Sequence, residues 1–375
     1  MSFTYYNIGI TFAPMIILQN LDKIYFSYAL PQVLEMQASE DVTLRIDRSA
    51  TTLVEVTLSA TEDQMAYFYD LRTLIEEELQ AVGHPDFFRI YYADHDQQSL
   101  SDWFYVIPSA MSVGVAPDVF IAERFLTNAT ALRIRRSHTM EIPLTYILAE
   151  GESCTCYTDY IIRPKTGSPF SIRMDEGTEK NQTQDYDVRD WRPTLPELQE
   201  DYERSYPDHP GDIIAMTVHK GKRVMTIFVT DDEPSAAFLF SNAFGQDEWL
   251  FCYAETTRKT TVDRSIAQCQ GKDSFYDQRV TRTNELKTNA ITPQEADRYN
   301  ELFISKSTYL SRGNTVVAVL LTDIDSSISD DASDNIRLKF SWRLNDRSIP
   351  AQPFSHGSTS SAKRIFTNQY TNHFV

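Results

Sequence analysis

Apolar and polar positions alternate with a period of two along much of this chain. The clearest case is residues 335–344, where Ile336, Leu338, Phe340, Trp342 and Leu344 are separated by polar residues, the pattern of a half-buried strand. Residues 238–253 hold two apolar runs, Phe238-Leu239-Phe240 and Trp249-Leu250-Phe251, around a connection containing Gly245, which predicts a hairpin. Looser alternation at Phe3, Tyr5, Ile8, Ile10 and Phe12 predicts an N-terminal strand, or an arm that becomes one on a partner. Further strands are expected at 23–28, 42–46, 52–58, 65–69, 87–92 and 103–107. More follow at 120–126, 131–136, 140–148, 154–162 and 168–174. A hairpin of 213–218 and 223–230 turns through His219-Lys220-Gly221-Lys222. Residues 315–321 form one more apolar strand.

Two segments carry helical signals instead. Asp70 can cap a helix whose apolar face is Leu71, Leu74, Ile75, Leu79 and Val82, with Gly83 beyond its end. Glu76, Glu77 and Glu78 then read as a solvated face. Thr292, Pro293 and Glu295 form a capping box with proline at the first helical position, so 293–304 is a helix with Ala296, Tyr299, Leu302 and Phe303 inward. The acidic stretch 175–212 breaks the strand pattern and reads as a solvated excursion, with room for a short helix at 196–206. Residues 255–289 read as a polar segment.

These elements group into a mainly β, multidomain protein with β-sandwich-like domains and two notable helices. The expected units are 1–112, a β domain with one helix; 113–234, a β-sandwich-like domain bearing the acidic insertion; and 235–350, a β domain with the capped helix. Residues 351–375 turn to Ser, Thr, Asn and His, yet Phe366, Tyr370 and Phe374 recur every fourth position. A solitary tail has no use for three aromatics, so they are expected to meet another subunit.

Length and charge narrow the classes of function. The chain has 375 residues, enough for two or three cores at about 150 residues per domain. Its formal net charge of −18 disfavours nucleic-acid and anionic-membrane binding. No apolar run is long enough to span a bilayer, and the first residues lack the basic segment of a signal peptide, so synthesis in the cytoplasm is expected. Four cysteines, Cys154, Cys156, Cys252 and Cys269, are too few for a disulfide framework and lack the spacing of a zinc site. Buried free thiols are expected, and neither a metal nor a cofactor.

Candidate chemistry is sparse. Asp323, Asp325, Ser327 and Asp334 fall at calcium-loop positions, but Ile328 stands where the loop needs glycine and position 12 lacks glutamate. A solvated loop is the favoured reading. Asp247 and Glu248 are an acid pair, but neighbours on a strand point to opposite faces. Arg133, Arg135 and Arg136 form a small basic cluster that offsets nearby carboxylates. The seven histidines are scattered, and no nucleotide-binding, metalloprotease or nucleophile-elbow motif occurs. No catalytic residue is expected, and the composition favours a structural or binding role.

Two patches resemble a known group. Asn242-Ala243-Phe244-Gly245 followed by Glu248 is similar to an Asn-x-Phe-Gly-x-Pro-Glu pattern of phage and prophage tail-associated structural proteins of gut anaerobes, with Asp247 in place of the proline. Phe340, Trp342, Arg343, Asp346 and Arg347 resemble the end of the same proteins, and the order of N-terminal elements up to Asp70-Leu71-Arg72 is also similar. The resemblance implies a virion subunit near the tail tip or baseplate, partnered by its own copies and neighbouring virion proteins, made in the host cytoplasm and ending in the virion. Phe3, Tyr5, Phe366, Tyr370 and Phe374 are the expected assembly contacts. Two alternatives remain open: a carbohydrate-binding module using Trp103, Trp191 or Trp249 as a platform, and a hydrolase whose site is not visible in the sequence.

Overall fold

The computed structural model describes residues 16–17, 23–38, 40–93, 98–100, 103–183, 185–269, 272–313, 315–325 and 336–345. Strands make up 55% and helices 15%, in several sheets with no closed barrel, so the protein is mainly β and multidomain-like. Four α-helices lie among the described residues.

The N-terminal part contains β1 (Ile16–Ile17), β2 (Ile24–Phe26), β3 (Val33–Gln37), β4 (Val42–Arg48), β5 (Thr51–Leu58) and β6 (Met65–Tyr69). Helix α1 (Leu71–Val82) follows, then β7 (Asp86–Ala93), β8 (Gln98–Leu100) and β9 (Phe104–Ile107). One sheet has the order β2-β9-β7-β4-β5 with β8 on β7, and a smaller one the order β1-β3-β6. Leu71, Ile75 and Leu79, one turn apart, bury the face of α1 against Leu44, Ile46, Phe88 and Ile90. Gly83 ends the helix at φ +76°, its N–H bonded to the Leu79 carbonyl. Asp70 stands at the cap position but does not cap. Its carboxylate accepts from Gln32 Nε2 at 2.9 Å, and the Leu71 N–H finds its acceptor in the Gln32 carbonyl at 3.1 Å. The acidic run is also less solvated than expected. Glu76 accepts from Ser27 Oγ and Glu78 pairs with Arg48 at 2.7 Å, leaving Glu77 exposed.

The middle part contains α2 (Pro117–Glu123), β10 (Ala131–Arg135), β11 (Leu144–Leu148), β12 (Ser153–Pro164), β13 (Phe170–Lys180) and β14 (Asp187–Trp191). It ends with α3 (Leu195–Ser205), β15 (Gly211–Lys220) and β16 (Arg223–Thr230). Its main sheet has the order β10-β16-β15-β12-β13, and β11 pairs with β14 apart from it. Two expectations are corrected. Residues 120–126 are not a strand: Pro117 opens a helix with Asp118 in its first turn, and Phe120 and Ile121 are its buried residues. The acidic stretch 175–212 is largely ordered structure. β13 runs on to Lys180, β14 covers β11, and α3 has a complete capping box between Thr194 and Glu197.

The C-terminal part contains β17 (Ala236–Ser241), β18 (Asp247–Cys252), β19 (Ala254–Cys269), β20 (Lys272–Thr288), α4 (Pro293–Ile304), β21 (Thr308–Arg312), β22 (Thr315–Asp325) and β23 (Lys339–Leu344). They form one sheet, β18-β17-β21-β22-β23-β20-β19. The predicted capping box of α4 is present, and Ala296, Tyr299 and Leu302 are buried. Residues 255–289, expected as a polar segment, are instead the longest hairpin of the described chain. The hairpin β17–β18 serves two cores. Phe238, Phe240, Leu250 and Cys252 face the C-terminal core, while Ala237, Trp249 and Phe251 face the middle one. That is why both runs read as continuously apolar.

Arg223 ties the middle part together. It is fully buried, and donates to the Ile121 and Ile147 carbonyls at 2.6 Å each and to both oxygens of Glu152 at 2.9 and 3.2 Å. Replacing it with methionine leaves a carboxylate and two carbonyls without their donor. Arg223→Met should therefore cost about 3–5 kcal/mol in denaturant unfolding. A loss of under about 1 kcal/mol, typical of an exposed pair, would show that this guanidinium is not the tie.

Candidate functional site

The expected assembly contacts Phe3, Tyr5, Phe366, Tyr370 and Phe374 lie outside the described residues, as do 326–335 of the calcium-like loop. The other candidates have clear places. Trp249 is buried, and its Nε1 donates to the Glu141 carbonyl at 2.9 Å, so it is closed to a sugar. Trp103 carries the Arg89 guanidinium 4.4 Å over its ring. Trp191 is half-buried against the middle core. Arg133 lies over the Tyr253 ring, Arg135 pairs with Glu233 and Arg136 with Asp231.

Cys154, Cys156 and Cys252 are free and buried. Cys154 and Cys156 share one strand face, with Sγ atoms 3.8 Å apart. Burial pushes the Cys156 and Cys252 thiols up to about 12, which makes them unreactive at neutral pH. Lys220, nearly enclosed, donates to Glu176 at 2.7 Å and Glu179 at 3.1 Å, and Tyr146 donates to Glu179. Burial alone would lower the Lys220 ammonium, but its carboxylate partners hold it above its ordinary value. Among the described residues no group of His, Cys, Asp and Glu could hold a metal ion.

Asp247 is exposed and Glu248 buried, as strand geometry requires. Glu248 is one end of a polar network where the parts of the chain meet. Its Oε1 accepts from Arg298 Nη2 at 2.9 Å, and its Oε2 from Thr127 Oγ1 at 2.7 Å and Asn242 Nδ2 at 3.2 Å. Glu301, also buried, accepts from Asn128 Nδ2 at 2.9 Å and from the Ala243 N–H at 3.2 Å. Burial, then the charge of Glu248, raises the Glu301 carboxyl above the usual range. Two carboxylates do converge here, but the void beside Glu248 is only about 10 Å³, room for about one water. The arrangement can join elements; it cannot hold a substrate.

The large accessible feature lies in the C-terminal sheet. An open groove of about 1700 Å³ runs between β19 and β20, the ends of β21 and β23, and the connections around His138 and Glu233. Among the described residues, five arginines line it (Arg135, Arg258, Arg282, Arg312 and Arg343) against one carboxylate, Glu233. Trp342 in its wall is 7% exposed, and among the described residues its indole N–H has no acceptor and Arg343 Nε no partner. Burial holds the neighbouring His138 imidazole down to about 4, so it adds no charge at neutral pH. These arginines come from five separate strands, and no local spacing in the sequence marks them.

The hairpin that borders the groove runs far beyond its sheet. β20 pairs with β23 only over residues 284–287, so 258–269 and 272–283 pair with nothing but each other among the described residues. At about 3.3 Å per residue this ribbon reaches on the order of 40 Å. Residues 255–264 are exposed on both faces, and Val262, Ile266 and Val280 are apolar and exposed. No protein-family model matches the chain, and no curated protein matches it.

The Glu301 site carries a pH prediction. A carboxyl raised on folding contributes stability at low pH that is lost as pH rises through its folded value. Glu301→Gln is a permanently neutral mimic. Melting temperatures of variant and parent should converge near pH 4 and diverge in favour of the variant towards about pH 7. A pH-independent difference would remove the buried charge from the account.

Proposed function

We propose that this chain is a structural subunit that works by protein–protein assembly. In line with the resemblance of its Asn242–Glu248 turn and its last strand, we place it in a virion near the tail tip or baseplate, made in the host cytoplasm. The observation that carries the assembly reading is the free ribbon. A two-stranded hairpin is marginally stable by itself in water, and its unpaired edges offer N–H and C=O groups to another chain. Its threonines, lysines and arginines guard those edges against indiscriminate pairing, while Val262, Ile266 and Val280 supply apolar contacts. Such a ribbon suits adding strands to a neighbour or laying its length along one.

The test is to replace residues 258–282 with a tight turn. The root of the ribbon, where Leu286 is buried, stays in place, so circular dichroism and thermal stability should stay close to those of the full chain. Light scattering should show loss of the assembly that the full chain forms. A truncated protein that assembles to the same mass would overturn the reading.

A further inference from the structure

We propose that the arginine-lined groove receives helix α3 of a second copy of this chain. The inference rests on the assembly reading and names the partner surface. Two observations carry it. First, charge: the groove sets five arginines against one glutamate, and Arg258, Arg282, Arg312 and Arg343 make no ion pair among the described residues. Residues 195–210 set five carboxylates (Glu197, Glu200, Asp201, Glu203 and Asp208) against the single Arg204. Glu197, Glu200 and Glu203 are exposed at three-residue spacing, hence on one face of the helix.

Second, size: α3 has 11 residues. Such a helix is about 16 Å long and about 10–12 Å across, a cylinder on the order of 1500 Å³, against a groove of about 1700 Å³.

Groove and helix are different surfaces of one chain, so the contact is heterologous. Repeated, it closes into a ring or runs on as a filament. The acidic helix is favoured over a nucleic acid because it brings its carboxylates on a short rigid element whose length matches the groove.

The test uses two full-length variants. Arg258→Glu with Arg282→Glu disables the groove, and Glu200→Lys with Glu203→Lys disables the helix. All four side chains are exposed, so both proteins should fold. By light scattering, the parent should self-associate at about 0.05 M salt and weaken by at least about tenfold at about 0.5 M. Each variant alone should be monomeric. An equimolar mixture should form 1:1 dimers and stop there, because each pair keeps one working groove and one working helix. Undiminished association of the helix variant, with loss only on ribbon truncation, would overturn this inference and leave the assembly reading standing. A parent that is monomeric throughout would overturn both. A monomeric parent that retards a dT oligonucleotide would give the groove to single-stranded nucleic acid instead.

Discussion

The structure depends on one side chain at the turn between β17 and β18. Asn242 is buried and uses its whole hydrogen-bonding capacity. Its Oδ1 accepts from the Phe244 and Gln246 N–H groups at 2.9 and 3.0 Å, and its Nδ2 donates to the Leu126 carbonyl and to Glu248. That fixes a turn in which Gly245 takes φ +73° with Pro108 close by. Phe244 is thereby driven against Phe120 and Phe26, at ring separations of 4.9 and 6.0 Å. Ala243 accepts from the Ala110 N–H with its carbonyl and donates its own N–H to Glu301. One five-residue connection thus touches the N-terminal part, the middle part and α4. The residues that carry the family-like pattern are the residues of this joint, and each has a structural task here.

Buried charges recur at this joint and in the middle part beside it. Glu248 with Arg298, Arg223 with Glu152, and Lys220 with Glu176 and Glu179 all lie in or between cores. Removing such charges from water is expensive, and apolar replacements often do as well for net stability. What paired charges add is a penalty for any arrangement in which one partner is missing. In a chain whose hairpin β17–β18 is shared by two cores, a slip of one element would strand several charges at once. The network therefore works against misregistered packing, and it holds the base of the ribbon relative to the middle part.

How much could be read beforehand follows from how local each signal is. The α4 capping box lies within four residues, and Thr292 and Glu295 do what their spacing says. The alternation at Ile336, Leu338, Phe340 and Trp342 was equally legible, because a sheet face is buried whatever its neighbours are. Helix α2 was misread because Phe120, Ile121, Phe125 and Leu126 fit a strand run as easily as a short helix, and seven residues give no second turn of evidence from spacing. Asp70 was misread because Gln32, far away in sequence, supplies the helix with its acceptor. The ribbon had no signature at all: with both faces in solvent, nothing forces a period of two on its apolar residues. The groove failed for a third reason, since Arg258, Arg282, Arg312 and Arg343 meet only through the order of one sheet and Arg135 joins them from another.

A net charge of −18 makes two copies repel at long range, which suppresses casual association. A basic groove on such a chain is then more selective than on a neutral one. Beyond the screening length of about 10 Å at 0.1 M salt, even the summed repulsion is largely damped. Within it, the local field of the five arginines dominates, and only a compact acidic element aimed at the groove gains from approach. The free ribbon adds the opposite kind of contact, with long unpaired edges that are indifferent to charge. On the proposed contact, orientation by the groove before pairing by the ribbon would keep those edges from joining in the wrong register, which exposed edge strands otherwise invite. On that proposal the acidic surface, the basic groove and the overlong hairpin are parts of one arrangement for assembling in one way.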